Sequence, residues 1–334
     1  MSLSDSELLR LIQTEDADEI EALFSQSRKV REEHYGKDVY FRGLIEITNY
    51  CKNDCYYCGI RRSNTNLERY RLSLDEILYC CRMGDKLGYR TFVLQGGEDL
   101  WYNDERVVEL VSAIRGEFPD HAITLSLGER SRQAYELFFR AGVNRYLLRH
   151  ETATEAHYAK LHPPSMSLAG RKQCLRQLKE IGYQAGAGFM VGSPFQTPEN
   201  LLSDLRFLEE LQPQMAGIGP FIPHKDTPFA AEPAGSLRLC LKMLALTRIL
   251  LPKALIPATT AMGTLTSNGR ELALQAGANV IMPNLTPGAA RKLYEIYDNK
   301  ISADDDAAIN HSRLVEMIRR AGYLPDMGRG DATC

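Results

Sequence analysis

Beyond Gly36 the chain repeats one alternation, a short β-branched run followed by a longer charged, helical stretch, and few folds accept it. Residues 44–48, 91–94, 122–126, 145–148, 186–190, 215–218, 255–258 and 279–282 read as eight strands. Between them lie 74–87, 104–117, 130–141, 169–181, 199–211, 238–250 and 269–276, with apolar residues at helical spacing. Strands that each feed a helix pair in parallel through right-handed crossovers, and eight of them close into an α/β fold, the (βα)8 TIM barrel. Residues 1–38 instead place Leu8, Leu9, Ile12, Ile20, Leu23 and Phe24 at helical spacings. We therefore expect an N-terminal helical extension over 1–38, the barrel over 39–300, and C-terminal helices capping it over 301–334. A length of 334 residues at 44% hydrophobic content is enough for one such core.

Catalytic groups in these barrels stand at the C-terminal ends of strands and in the loops that follow. The unusual sequences of this chain fall there, so all point to one mouth. Foremost is the loop after the first strand, Cys51-Lys52-Asn53-Asp54-Cys55-Tyr56-Tyr57-Cys58. Its C-x3-C-x2-C spacing lets one loop wrap a 4Fe–4S cube and ligate three irons, leaving the fourth for another molecule. In radical-SAM enzymes that molecule is S-adenosylmethionine, from which one electron releases a 5′-deoxyadenosyl radical. Zinc wants four ligands, and no second Cys or His pair lies nearby. Eight scattered cysteines without a signal peptide do not suit a disulfide framework. Cys80, Cys81, Cys174 and Cys240 read as core residues of helices, and Cys334 is the last residue.

Other strand ends supply candidate contacts. Gln95-Gly96-Gly97-Glu98 lets backbone approach a ligand closely and offers acceptors for an ammonium; a plain βα turn is the alternative. Gly186, Gly188 and Gly192 would either receive adenine or serve packing. Arg149 and Glu151 end the fourth strand: Arg149 could clamp a substrate carboxylate and Glu151 could bind the amino group or ribose of SAM, or the two could pair structurally. Arg171 opens a helix, where a cation gains nothing from the dipole; a carboxylate partner would explain it, and so would a solvated surface position. Thr259, Thr260, Met282 and Asn284 end the last two strands; Tyr294 and Tyr297, at i and i+3 on an expected helical turn, could line the cavity floor, with ordinary packing the alternative for all of them. No histidine falls at metal-ligand spacing.

Residues 41–64, 94–99, 126–129, 147–153 (LLRHETA), 217–224 (GIGPFIPH), 256–264 (IPATTAMGT) and 277–284 (GANVIMPN) together resemble the HydE family, radical-SAM maturases of FeFe-hydrogenase. The resemblance runs from about residue 7 to the end. It implies a 4Fe–4S cluster held by Cys51, Cys55 and Cys58 near one end of a closed cavity, with Tyr57 beside the last thiol. It implies SAM contacts from Ser126, Glu151 and Arg171, besides Gln95, Gly96 and Gly97, and a substrate cavity lined by Arg149, Thr259, Thr260, Met282, Tyr294 and Tyr297. The implied substrate is a small cysteine-derived organometallic, an iron carrying carbon monoxide and cyanide from the partner HydG; the product passes toward the scaffold GTPase HydF. Some of the family carry a second cluster on three C-terminal cysteines; residues 302–313 hold none, so a single cluster is expected.

A net charge of −3 gives no reason to expect nucleic acid, and no run of 18 apolar residues suggests a membrane span. A cluster enzyme with free thiols belongs in a reducing cytoplasm. The alternative activity is that of methylornithine synthase, a radical-SAM mutase acting on an amino acid. That enzyme is similar in the cluster loop, in Glu98-Asp99 and in residues 255–258. Biotin synthase needs an auxiliary cluster whose ligands are not evident, and a non-catalytic iron–sulfur carrier would not leave an iron open.

Overall fold

The computed structural model describes residues 3–301 and 307–332. Two helices, Asp5–Gln13 and Ala17–Tyr35, open the chain. A capping box starts the first, in which the Ser4 hydroxyl accepts from the Glu7 N–H and the Glu7 carboxylate accepts from that of Ser4. The Asp16 carboxylate caps the second.

The strands are β1 (Asp38–Phe41), β2 (Gly43–Thr48), β3 (Thr91–Gly96), β4 (Ala122–Ser126), β5 (Arg145–Leu147), β6 (Gln184–Ala187), β7 (Met190–Val191), β8 (Met215–Ala216), β9 (Gly219–Pro220), β10 (Val280–Ile281) and β11 (Leu324–Asp326). β2-β3-β4-β5-β6-β8 run side by side and parallel. Parallel bridges Met215↔Leu255, Pro257↔Val280 and Leu44↔Asn284 carry the ring onward and close it. The expected barrel is therefore present, with 255–258 bridged rather than laddered. Helices surround it, among them Leu74–Lys86, Asp104–Glu117, Leu168–Ile181 and Leu237–Leu250. Cys80, Cys81 and Cys240 are fully buried in these helices, as expected of core thiols.

Two expectations need correcting. Residues 186–190 split into β6 and β7 at Gly188, whose φ is +153° and whose added Cβ would lie 2.1 Å from the Gly217 carbonyl oxygen. Neighbouring backbones meet there too closely for any side chain, which is the packing reading of this glycine. The C-terminal segment is not all helix: after Ala307–Arg320 the left-handed Gly322 turns the chain into β11, which pairs with β1 and carries the donorless Pro325.

Residues 329–331 cross beneath the barrel's N-terminal end. Arg145, fully buried at the start of β5, donates to the carbonyl oxygens of Arg329 (2.8 Å) and Gly330 (3.1 Å) and sits 2.6 Å from the Asp331 carboxylate. Just above, Met215, Leu255 and Val280 pack with Leu147, Tyr40 and Met282 into an apolar floor. The main cavity lies on the other side of that floor, at the strands' C-terminal ends.

Candidate active site

Strand register builds the first row. Pairing sets Glu46 beside Gln95 and Gln95 beside Ser126, all at the C-terminal ends of β2, β3 and β4. The cysteine loop leaves β2 next to this row. Arg69 shapes it, donating to the carbonyls of Asn49, Ile60, Arg61 (2.6 Å) and Asn64 (3.0 Å). Gly59 sits where a Cβ would fall 2.1 Å from the Glu295 carbonyl oxygen, so the loop presses directly on the segment after β10. Gly97 is equally tight, with a notional Cβ 2.2 Å from the Tyr50 carbonyl oxygen.

The result is a cavity of about 310 Å3 onto which Cys51, Cys55 and Cys58 all open as free thiols. Burial raises each thiol's pKa, that of Cys58 to about 12, and neighbouring sulfurs raise Cys55 and Cys58 further. Among the described residues no His, Cys, Asp and Glu group gathers as a single metal ion would require. Three thiols around a common hollow suit a polynuclear group better than one ion.

Charge enters from three sides. Arg149 Nη2 lies 3.1 Å from a Glu151 carboxylate oxygen and donates to the Phe189 carbonyl at 2.7 Å, while its buried Nε has no hydrogen-bond partner among the described residues. Glu151 itself has φ +65°, an uncommon conformation for a side chain of this size, held by bonds with β6 and β7 neighbours Gly188 and Met190. Arg171 already has its carboxylate: Glu129 at 2.8 Å, with Glu98 at 3.8 Å. Burial alone would lower the Arg171 pKa, but Glu129, Tyr158 and Glu98 outweigh it and raise it. Glu98 also holds Lys52 of the cysteine loop at 3.2 Å. Tyr57 is fixed by His162 Nε2 at 3.0 Å; burial pushes the His162 pKa down to about 3. Its Nδ1 lies 3.0 Å from the Tyr158 carbonyl, so Nδ1 carries the proton and Nε2 accepts from the Tyr57 hydroxyl.

One cavity thus gathers Tyr57, Gln95, Gly96, Gly97, Ser126, Glu151 and Arg171 with Arg149, Thr259, Tyr294 and Tyr297. The buried Thr259 hydroxyl has no hydrogen-bond partner among the described residues, and Tyr294 accepts from the Gln95 amide at 3.3 Å. Tyr294 and Tyr297 reach it from irregular chain after the short helix Gly288–Lys292, not from the expected helical turn. Thr260 and Met282 line a separate hollow of about 40 Å3. Thr260 is turned away as the first residue of helix Thr260–Leu265, its hydroxyl accepting from Arg270 at 3.3 Å. Sequence reasoning gave no role to Arg69, Glu129 or His162, nor to the buried pair of Glu46 with Lys300. Glu129 and Glu46 at least stood in noted segments; Arg69, His162 and Lys300 carry no local signal.

A parallel barrel whose first loop brings three thiols to an internal cavity defines a radical-SAM enzyme, and the Radical SAM superfamily model matches residues 45–208. The Biotin and Thiamin Synthesis associated domain matches residues 218–323. The chain is 48% identical over 305 residues to the [FeFe] hydrogenase maturase subunit HydE of Thermotoga maritima, spanning 91% of this chain and 87% of that one. It belongs to the HydE family. It is also 31% identical to the 3-methylornithine synthase of Methanosarcina acetivorans, over 91% of this chain and 85% of that one. The crystal structure of methylornithine synthase (PylB) superposes with a TM-score of 0.85 at 28% identity, covering 98% and 95% of the two chains. The radical-SAM family brings a 4Fe–4S cluster and S-adenosylmethionine as cofactors. Among the described residues no helix is long and apolar enough to cross a membrane.

Proposed function

We propose that this chain is a radical-SAM maturase of FeFe-hydrogenase. Its substrate in this reading is a cysteine-bound iron carrying carbon monoxide and cyanide, received from HydG and passed as product toward HydF, within the cytoplasm. The observation that carries it is the meeting, on one interior cavity, of the three thiols with the Arg149–Glu151 pair and Arg171. Support for the particular substrate is the 48% identity to the Thermotoga maritima maturase.

In this reading Cys51, Cys55 and Cys58 hold one 4Fe–4S cluster, and the cofactors when bound supply a 5′-deoxyadenosyl radical. The backbone at Gly96 and Gly97, together with Gln95, Ser126 and Glu151, accepts the polar groups of the methionine and ribose. Arg171, pinned by Glu129, offers the cation for the carboxylate. Tyr57, oriented by His162, flanks the nucleoside. Arg149 points its free Nε at a substrate carboxylate, and the Thr259 hydroxyl adds a donor without charge. Leu147, Leu148, Met190, Phe221 and Ile222 complete an apolar wall that keeps water away. Thr260 and Met282 shape the adjoining hollow. We assign a single cluster, because the stretch expected to hold a second has no cysteine; residues 302–306 lie outside the described residues.

Anaerobic reconstitution and EPR test this. Reduced protein should give one 4Fe–4S signal that shifts with S-adenosylmethionine and disappears in Cys55→Ser, and should mature hydrogenase with HydG and HydF present. A signal indifferent to S-adenosylmethionine would overturn the reading. A second reading, an amino-acid mutase like methylornithine synthase, is favoured by the TM-score of 0.85. Formation of methylornithine from lysine, without hydrogenase maturation, would establish it instead.

A further inference from the structure

Phe195 is 56% exposed and has φ +64°. It is the third residue of the tight turn Ser193-Pro194-Phe195-Gln196, closed by the Gln196 N–H donating to the Ser193 carbonyl at 3.1 Å. A turn with positive φ at that position ordinarily takes glycine or asparagine. Here a phenyl ring is both sterically strained and left in water. The turn cannot relax, because buried His157 bonds the Pro194 carbonyl at 3.0 Å and the Thr152 hydroxyl at 3.0 Å. Neither conformation nor exposure benefits the fold, so the benefit lies outside it.

What stands behind the ring indicates where. Phe195 and Phe229 rings are 6.2 Å apart, Phe229 and Tyr56 rings another 6.2 Å, and Tyr56 adjoins Cys55. The Lys160 ammonium lies 5.1 Å from the Phe195 ring, Arg61 lies 5.8 Å from the Tyr56 ring, and Lys52 is exposed beside Cys51. Of these cations Arg61 is neutralised by Asp54 at 2.7 Å; Lys160 stands over the exposed ring itself.

We propose that Phe195 and Lys160 form the docking point of a small acidic one-electron carrier protein, of flavodoxin or ferredoxin type, that reduces the group held by Cys51, Cys55 and Cys58. This rests on the cluster reading above. One electron leaves the carrier, which is oxidised, and enters the cluster, which is reduced; no bond forms or breaks. An exposed aromatic anchor beneath a cation that pairs with no carboxylate among the described residues complements the acidic rim of such carriers. Leu100, at the other end of the cysteine loop, is 74% exposed but sits on unstrained backbone, and serves as the control.

The test uses the reconstituted full chain with Phe195→Gly, Lys160→Glu and Leu100→Ala, titrated with a flavodoxin and with a ferredoxin. Glycine suits this turn, so Phe195→Gly should melt at or above the wild-type temperature while its Kd for the carrier rises roughly tenfold. Lys160→Glu should weaken binding more at low salt than at high salt. Dithionite, too small to need docking, should reduce all variants as it does the wild type. Unchanged binding in Phe195→Gly and Lys160→Glu, a loss confined to Leu100→Ala, or wild type that binds neither carrier would overturn the proposal. Failure of dithionite to reduce wild type would instead count against the cluster reading, and the binding titration would still decide the docking.

Discussion

Arg171, which lines the thiol-bearing cavity, forms a 2.8 Å ion pair with Glu129 and is almost wholly removed from solvent. The arginine that sequence reasoning left in want of a carboxylate therefore finds one in its own chain. A ligand carboxylate arriving there meets a guanidinium that is already ion-paired.

Removing the partner should make this visible. Glu129→Gln leaves a buried guanidinium with only the more distant Glu98, at a cost of about 2 kcal/mol. S-adenosylmethionine, which carries a carboxylate, should restore part of the loss. Thermal melts with and without it should show a lower melting temperature in the free variant and a larger ligand-induced rise than in wild type. Equal rises would remove Arg171 from the carboxylate site.

Arg149 should separate the two half-reactions. Arg149→Ala should abolish hydrogenase maturation, by at least about a hundredfold if it positions substrate, while leaving reductive cleavage of S-adenosylmethionine largely intact. Chromatographic assay of 5′-deoxyadenosine beside a maturation assay reads both. Normal maturation by the variant would eliminate the clamp role.

The tail beneath the barrel should respond to acid. Burial would raise the Asp331 pKa, but hydrogen bonds from Arg329 and Gln184 and the charge of Arg145 prevail and hold it well below the usual carboxylate range. A depressed folded pKa means stability present above the unfolded value near 3.9 and lost as pH falls toward the folded one. Asp331→Asn should therefore cost about 1 kcal/mol at neutral pH, discounted for partial exposure, and progressively less below about pH 4. A pH-independent difference in urea unfolding would contradict this.

Glu46 and Lys300 pair inside the protein, with Asn284 donating to the same carboxylate at 2.8 Å. Lys300→Met strands a buried carboxylate and should cost about 3 kcal/mol, whereas the double variant Glu46→Gln, Lys300→Met should recover most of it. Additive losses in a double-mutant cycle would show that the two residues do not act as a pair.

Much of this was open to reading from the chain alone. The eight alternations announce a parallel barrel because a strand period followed by a helical period leaves little else to build. The cysteine spacing is likewise local, since one loop supplies all three thiols. Helix starts such as Ser73 with Glu76, a capping box, are local as well. Local patterns also gave the C-terminal segment as helices, and β11 corrected that, because its reason lies in the open edge of β1 rather than in residues 324–326.

Tertiary structure alone decided which side chains share the cavity. Thr259 and Thr260 are adjacent, yet one lines it and the other turns to a second hollow, a choice made by where helix Thr260–Leu265 begins. Glu129 meets Arg171 across 42 positions and Glu46 meets Lys300 across 254, distances over which no periodicity reports. The sequence by itself determined the elements and the thiol loop, because those follow from bonding and burial within a few residues. Such charge pairs depend on how the closed barrel brings distant segments together, and only the folded chain contains that information.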